Sequence, residues 1–206
     1  MQAVARNDGK PALVLTHTNA GVHALRSRMA RSKIASAKAR VTTLDGWSLQ
    51  VVNSYPELSG HRPDLAAINY PTLRKAAIRA VSSGALDAIL RASYSRVIVD
   101  EYQDCNDAQH RLVTELAQRL PCCVLGDPLQ RIFDFAEALP DWDGTVLSAF
   151  PLEGTLNDPW RWIRQGEEDF GRWILAIRND LENGRGVDLA TAPANLCLLY
   201  TSPSPR

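Results

Sequence analysis

The sequence lacks an excess of charge of either sign and lacks any long apolar run. Its 206 residues include 23 Lys and Arg and 23 Asp and Glu, so the formal net charge is zero. This balance excludes a protein that is held on nucleic acid only by its net positive charge. No stretch of about 18 consecutive apolar residues occurs, so we predict no membrane-spanning helix and no membrane partner.

Cysteine is also scarce, and its arrangement argues against two common uses. None of the spacings is typical of a metal site, and two of the four residues are adjacent: Cys105, Cys122, Cys123 and Cys197. The first residues show no basic start followed by an apolar core, which is the pattern of a secretory signal. We therefore expect reduced thiols and a cytoplasmic protein rather than a disulfide framework.

Charge is nevertheless distributed unevenly along the chain. Residues 1–50 carry eight basic and two acidic side chains, a local net charge of +6, and residues 134–182 carry four basic and eleven acidic ones, a local net charge of −7. The basic segment could face a polyanion while the acidic segment faces water or another domain. Alternatively, both segments are solvated helical faces without a partner.

Short apolar runs alternate with helical patterns. The runs predicted as strands are residues 12–16, 96–100, 122–126 and 145–149. Because polar residues do not alternate within them, these runs are typical of parallel strands that are covered on both faces. Amphipathic patterns predict helices beginning after Asn19 and Asn106, over residues 72–80 and 85–92, and over residues 170–181. The sequence therefore predicts an α/β fold.

The most informative motif is Asp-Glu-Tyr-Gln-Asp at residues 100–104, directly after an apolar strand. The carboxyl ends of parallel strands are where α/β proteins bind ligands. Two acids there could divide the work of nucleotide hydrolysis, with Asp100 holding Mg²⁺ and Glu101 orienting and deprotonating the attacking water. The alternative is an ordinary strand-to-helix turn in which the acids only favour the helix N-terminus.

A second polar motif follows the next predicted strand. Gly126 and Asp127 end that strand, and Gln130 comes three residues later. An uncharged amide can donate a hydrogen bond to a γ-phosphate and so sense it without neutralising it. Phe133 and Phe135 alternate just beyond and could stack on a base, although core packing is the alternative for both.

Both motifs, in this order, resemble those of the UvrD/Rep-type superfamily 1 DNA helicases. DEYQD at 100–104 is similar to the family's DExQD Walker B motif, and GDPLQRIFDF at 126–135 is similar to its GDxxQxIYxF/W motif. Upstream, LTHTNAG at 15–21 resembles the TFTNKAA element and TLDGW at 43–47 resembles the TFHSF element. LNDPWRW at 156–162 stands where the family has LxxNYRS.

The resemblance implies a RecA-like P-loop NTPase domain that uses ATP and Mg²⁺ to move along single-stranded DNA. It implies catalytic roles for Glu101, Gln130 and Arg161, with Arg161 reaching the γ-phosphate. It implies ATP contacts from Asp100, Gln130 and Arg161, and Mg²⁺ binding by Asp100 and Glu101. By their place in the motifs, the implied DNA-facing residues are His17, Thr18, Asn19, Trp47 and Phe135.

The chain also departs from the family pattern. The Gly-rich phosphate loop, GxGKT/S, is absent, and the only local candidate, DGKP at residues 8–11, lacks the leading glycine and the Ser/Thr. Asp45 stands where the family usually has His, and Pro159-Trp160 replaces Asn-Tyr. We therefore expect a fragment of a larger helicase that by itself binds ATP weakly.

The expected organisation has three parts. Residues 1–150 would form a partial first RecA-like domain with a short helical insert at about 53–92, and residues 151–190 would begin the connection to the second such domain. The stretch 197–206 changes abruptly to a Ser/Pro-rich composition, and we interpret it as a non-native tail outside the fold.

Two other functions stay open at this point. A catalytically inactive RecA-like module that binds DNA or a partner in a helicase–nuclease assembly would explain the absent phosphate loop. It would not explain the retention of the acids, the amide and the arginine: Asp100, Glu101, Gln130 and Arg161. A P-loop-type ATPase unrelated to DNA would leave the upstream motifs unexplained.

Overall fold

The first compact unit of the chain is built on a four-stranded parallel sheet. The computed structural model describes residues 9–131, 138–194 and 196 and divides the chain into two compact units, residues 1–151 and 152–206. The strands run in the spatial order β2-β1-β3-β4, and every pairing is parallel. Their bounds are β1 Ala12–Thr16, β2 Ala39–Thr43, β3 Arg96–Val99 and β4 Cys122–Val124. The predicted α/β class is confirmed, as an incomplete RecA-like sheet.

Helices connect the strands of this unit. They are α1 Asn19–Arg31, α2 Leu44–Ser54, α3 Pro56–Ser59, α4 Tyr70–Ser82, α5 Asp87–Ser93 and α6 Asp107–Ala117. A π-helical turn, Trp142–Val146, continues into the short helix α7, Leu147–Ala149. Turns of 3₁₀-helix cover Ser36–Lys38, Tyr102–Asp104 and Pro128–Gln130.

The helix starts are fixed by side-chain caps. The Thr18 hydroxyl accepts a hydrogen bond from the Gly21 N–H at 3.0 Å, so Thr18 caps α1, and the helix begins at Asn19 rather than after it as predicted. Asn106 and Gln109 form a reciprocal capping box at the start of α6, at 2.9 and 3.1 Å.

Apolar side chains fill both faces of the sheet. On one face, alternate residues of β1 and β3 (Leu13, Leu15, Val97 and Val99) pack with α2, α4 and α6. On the other face, the intervening residues pack with α1 and β2: Ala12, Val14, Val22, Leu25, Met29, Ala39, Val41 and Ile98. This two-sided cover explains why the strands read as continuous apolar runs.

Two strand assignments differ from the sequence-based ones. Residues 145–149, predicted as a strand, belong to the π-helical turn and α7, because Asp141 caps this segment through the Gly144 N–H and its carbonyl accepts the Thr145 N–H at 3.0 Å. Strand β2 was not predicted. Its β-branched residues are interrupted by the exposed Arg40, as expected for a strand at the edge of the sheet.

The regular secondary structure described in the second unit is helical. It contains α8 Trp160–Ile163, α9 Glu168–Glu182 and a 3₁₀ turn, Leu189–Thr191. At Gly171 a Cβ atom would lie 2.8 Å from Pro159 Cβ and 2.9 Å from Trp162 Cβ, so the close contact of α8 with α9 requires glycine. The described residues of either unit include no helix that is long and apolar enough to cross a membrane.

Candidate functional site at the carboxyl edge of the sheet

The two polar motifs meet at the carboxyl edge of the sheet, beyond the ends of β3 and β4. There the Leu125 N–H donates to the Val99 carbonyl at 2.8 Å, and the Tyr102 N–H donates to the Leu125 carbonyl at 2.9 Å. On the other side, the Asp100 N–H donates to the Leu15 carbonyl at 2.8 Å. These bonds extend the ladder past the strands and hold residues 100–104 beside residues 125–130.

Gly126 permits the close approach of the two motifs. A Cβ atom at this position would lie 2.7 Å from the Trp142 ring, and 3.1 Å from both the Gln103 backbone nitrogen and Tyr102 Cβ. Neither backbone nor ring could move aside cheaply, so a larger residue would separate the strand ends.

Glu101 occupies an unusual backbone conformation. Its φ of 57° and ψ of 45° lie in the left-handed region, which favours glycine, and its side chain is exposed. The neighbouring Tyr102 is 1% exposed and anchors the turn in the core. Backbone strain of this kind, at one residue between a strand and a buried anchor, clusters at functional sites.

Asp100 is a half-buried carboxylate in an unfavourable setting. Burial, and next the Glu101 carboxylate, raise the pKa of Asp100 above its ordinary value, against smaller opposing effects that include Arg28. The pKa of Asp104 is also raised, first by burial and then by Glu101. Keeping both carboxylates ionised is therefore unfavourable, and a bound cation would offset this because it stabilises the ionised form.

The donor set fits Mg²⁺ better than a fully protein-bound metal. Across residues 9–131, 138–194 and 196, no group of three or more His, Cys, Asp or Glu side chains is arranged to hold a metal ion. The adjacent oxygen donors of Asp100 and Glu101 would leave the remaining positions to water and phosphate oxygens, which is how Mg²⁺ is usually held.

A buried glutamine joins the two motifs, and the sequence patterns gave it no role. Gln103 Nε2 donates to Glu101 Oε2 at 2.8 Å, and Gln103 Oε1 accepts from the Asp127 N–H at 3.0 Å. The residue is 4% exposed. The sequence signal for Gln103 was its place between the acids of the motif at residues 100–104. Its two partners depend on the tertiary structure, so the sequence could not predict them.

Gln130 lies on the 3₁₀ turn that follows β4, and its side chain is exposed. Its Nε2 donates to Asp127 Oδ2 at 2.7 Å, and the Leu129 N–H donates to Asp127 Oδ1 at 3.1 Å. The structure thus brings Asp100, Glu101 and Gln130 to one edge of the sheet on neighbouring strand ends.

The first upstream motif reaches the same edge. The His17 ring, which follows β1, is hydrogen-bonded through Nε2 to the Asp104 carbonyl. Thr18 uses its hydroxyl in the α1 cap, and Asn19 is exposed at the first turn of that helix. His17 therefore links β1 to the Asp100–Asp104 turn, whereas Asn19 is available at the surface.

The predicted DNA contact Trp47 is buried instead. It is 1% exposed and belongs to the main core, so the prediction that its side chain faces DNA is wrong for this structure. Its position three residues after Leu44 places both side chains on the buried face of α2. Phe135, like Phe133, lies outside the described residues.

Asp45 and Lys10 serve purposes other than ligand binding here. Asp45 accepts from Nε and a terminal nitrogen of Arg74, both at 2.7 Å, and from Gln109 Nε2 at 3.4 Å. Lys10 Nζ donates to the Arg91 carbonyl at 2.7 Å. Because Lys10 precedes β1, it lies at the amino edge of the sheet, opposite the edge that carries Asp100.

Arg161 lies on α8 of the second unit and is exposed. Its match to the family's arginine is a matter of spacing from Leu156, and its role stays a prediction.

Comparison with known proteins gives an independent view of this region. Residues 65–142 match the model of the UvrD/REP helicase N-terminal domain, a range that includes β3, β4 and both motifs of the site. A curated relative from Leuconostoc mesenteroides, one of the subunits of an ATP-dependent helicase/nuclease, is 29% identical over 73 residues. The match covers 35% of this chain and 6% of the relative, so the chain corresponds to a small part of that protein's length. Together with the parallel sheet, these matches support a relationship of this region to the UvrD-type helicases.

Proposed function

We propose that this chain is part of an ATP-dependent DNA helicase or translocase, and that Mg²⁺-ATP is hydrolysed at the carboxyl edge of its sheet. The observation that carries the proposal is the continuation of the backbone ladder past β3 and β4, which holds Asp100 and Glu101 beside Gln130. Acids and a neutral amide on adjacent strand ends are what a hydrolytic phosphate site requires.

Each residue has a distinct part in the proposed reaction. A bound Mg²⁺ would neutralise phosphate charge. Asp100 would hold the ion, since its raised pKa reflects a carboxylate that gains from a nearby cation. Glu101 would orient the attacking water and take its proton, and Gln130 would donate to the γ-phosphate. Arg161 would stabilise the charge that develops on the transferred group.

Single-stranded DNA is the proposed second ligand. His17, Thr18 and Asn19 follow β1 at the edge that carries the acids, so a strand held there would lie close to the nucleotide. The hydrogen bond from the His17 ring to the Asp104 carbonyl gives a direct route from this segment to the turn that bears Glu101. Phe135 is proposed to stack on a base.

The proposed setting is a reducing, cytoplasmic one. Cys105, Cys122 and Cys123 are free thiols, and burial raises the pKa of Cys122 to about 12. A thiol with so high a pKa stays protonated and unreactive at neutral pH.

The test is the Mg²⁺-dependent ATPase activity of a longer version that contains a phosphate loop, with and without single-stranded DNA. Glu101→Gln should lower kcat by at least about 100-fold while ATP binding persists. The control is Glu57→Gln, which changes an exposed carboxylate paired with Arg62. Unchanged turnover in Glu101→Gln would refute the proposed role of the site.

A second function has one specific observation in its favour. The sequence has no GxGKT/S loop, and the curated relative belongs to a helicase/nuclease, so the chain could instead serve as an inactive RecA-like module that binds DNA or a nuclease partner. DNA binding that is unaffected by nucleotide and by Glu101→Gln, in a protein without ATPase activity, would favour this alternative.

A further inference from the structure

We propose that Gln103 is a positioning residue that locks the Glu101 carboxylate to the end of β4. Its relevance to hydrolysis rests on the function proposed above, but the contacts that support it do not. Neither the family match nor the motif pattern assigns Gln103 a partner.

The orientation of the Gln103 amide is determined by its surroundings. The nitrogen faces a carboxylate oxygen of Glu101 at 2.8 Å, and the oxygen faces the Asp127 N–H at 3.0 Å. Rotating the amide by 180° would set two acceptors against each other at one end and two donors at the other. Because the residue is buried, neither mismatch could be relieved easily by water.

The amide fixes one oxygen of Glu101 and leaves the other available. Oε2 accepts from Gln103, whereas Oε1 makes no hydrogen bond to the part of the chain that the structure describes. Glu101 is exposed, so without this contact its side chain would be free to change rotamer. Gln103 thereby presents Oε1 to solvent at a defined position, where a water molecule could bind.

The same amide connects Glu101 to Gln130. Asp127, whose N–H is held by Gln103, accepts from Gln130 Nε2 through its own carboxylate at 2.7 Å. The hydrogen bonds therefore form an unbroken path from the proposed water-activating acid to the proposed phosphate-sensing amide. A substitution of Gln103 should therefore alter the positions of both the Glu101 and the Gln130 side chains.

The first experiment measures hydrogen exchange of the Asp127 amide by NMR in this chain without nucleotide, relative to core amides of β1. Gln103→Met removes the acceptor and should reduce the relative protection about tenfold. Gln103→Glu keeps an acceptor for the Asp127 N–H but sets a carboxylate oxygen against Glu101 Oε2, so it should restore only part of the protection. Gln109→Met, a change at another buried glutamine that bonds Asn106 and Asp45 instead, should leave it unchanged.

The second experiment measures the side-chain amide signals of Gln103 itself. A proton bonded to a carboxylate resonates downfield, so Glu101→Ala should move that signal upfield, whereas Glu115→Ala in α6 should not. This experiment needs no substitution at Gln103 and therefore holds even if Gln103→Met fails to fold.

Either experiment can contradict the proposed link. The proposal would be overturned if the Asp127 amide were equally protected from exchange in wild type and Gln103→Met. It would also be overturned if Glu101→Ala left the Gln103 side-chain signal unchanged. Because neither readout involves ATP, a confirmed link in a protein that never hydrolyses ATP would refute the proposed function and leave the link standing.

Discussion

The two halves of the sheet use their motif residues in opposite ways. In the β1–β2 half, Trp47 is part of the core, Asp45 is paired with Arg74, and Thr18 caps a helix. In the β3–β4 half, Glu101 is exposed on a left-handed backbone and Asp100 has a raised pKa. These three residues of the first half therefore serve stability, whereas Asp100 and Glu101 accept local costs of the kind found where proteins bind ligands.

The largest expected change in stability comes from a substitution in the core of the β1–β2 half. Trp47→Ala should lower the free energy of unfolding by about 3–5 kcal/mol, because it leaves a large cavity beneath α2. Urea denaturation measures the change. The control is Trp160→Ala, at a tryptophan that is 57% exposed in the second unit, and an equal loss there would contradict a structural role specific to Trp47.

The next effect concerns the ion pair between Arg74 and Asp45, which stands where the helicases that this chain resembles usually have His. Arg74 is 9% exposed, so Arg74→Met should leave the Asp45 carboxylate without its ion-pair partner. We expect this to lower the free energy of unfolding by about 2–3 kcal/mol. The double variant Arg74→Met/Asp45→Asn should regain part of the lost free energy of unfolding, as measured by chemical denaturation. Arg62→Met, at an exposed pair with Glu57, should be nearly neutral. Additive effects of Arg74→Met and Asp45→Asn would contradict the coupling.

A smaller difference in stability is expected between glycine and alanine substitutions at Glu101. Because φ is positive there, Glu101→Gly should be more stable than Glu101→Ala by about 1 kcal/mol in thermal or urea unfolding. In the regular helix α6 the order should reverse, with Glu115→Gly less stable than Glu115→Ala. The same order at both positions would mean that Glu101 does not adopt the left-handed conformation.

The smallest effect is pH-dependent. The folded state raises the pKa of Asp100, so it binds a proton more readily than the unfolded chain, and wild type gains stability as pH falls through that pKa toward the ordinary value of 3.8. Asp100→Asn should therefore be more stable than wild type by about 0.5 kcal/mol at pH 7, with no difference near pH 3. Asp87→Asn, which loses the Arg119 ion pair, should show the opposite sign at pH 7.

Sequence patterns located the sheet well where strands are continuous and buried. Residues 12–16 form β1 as predicted, and the strands that start at residues 96 and 122 begin where expected. Residues 145–149 show the limit of this signal, because a short apolar run fits a buried helix as well as a strand, and the Asp141 cap decides the outcome. β2 was missed for the converse reason, since an edge strand shows one face to water and loses its apolar continuity.

The candidate site was predictable in outline and not in its contacts. Apolar runs that end in acids and amides placed Asp100, Glu101 and Gln130 at one edge. The direction of Trp47 and the two partners of Gln103 follow from helix packing and from the ladder between strand ends, which no local pattern specifies. Those details arise from tertiary structure.

The most direct measurement is paramagnetic broadening of the NMR amide signals of this chain by Mn²⁺ together with ATP, which reports even weak binding. We predict that residues 100–104 and 126–130 broaden together, and that Asp100→Asn suppresses both sets while Asp87→Asn suppresses neither. Broadening confined to the acidic start of α9, or of residues 100–104 without 126–130, would contradict a shared metal–nucleotide site at the two strand ends.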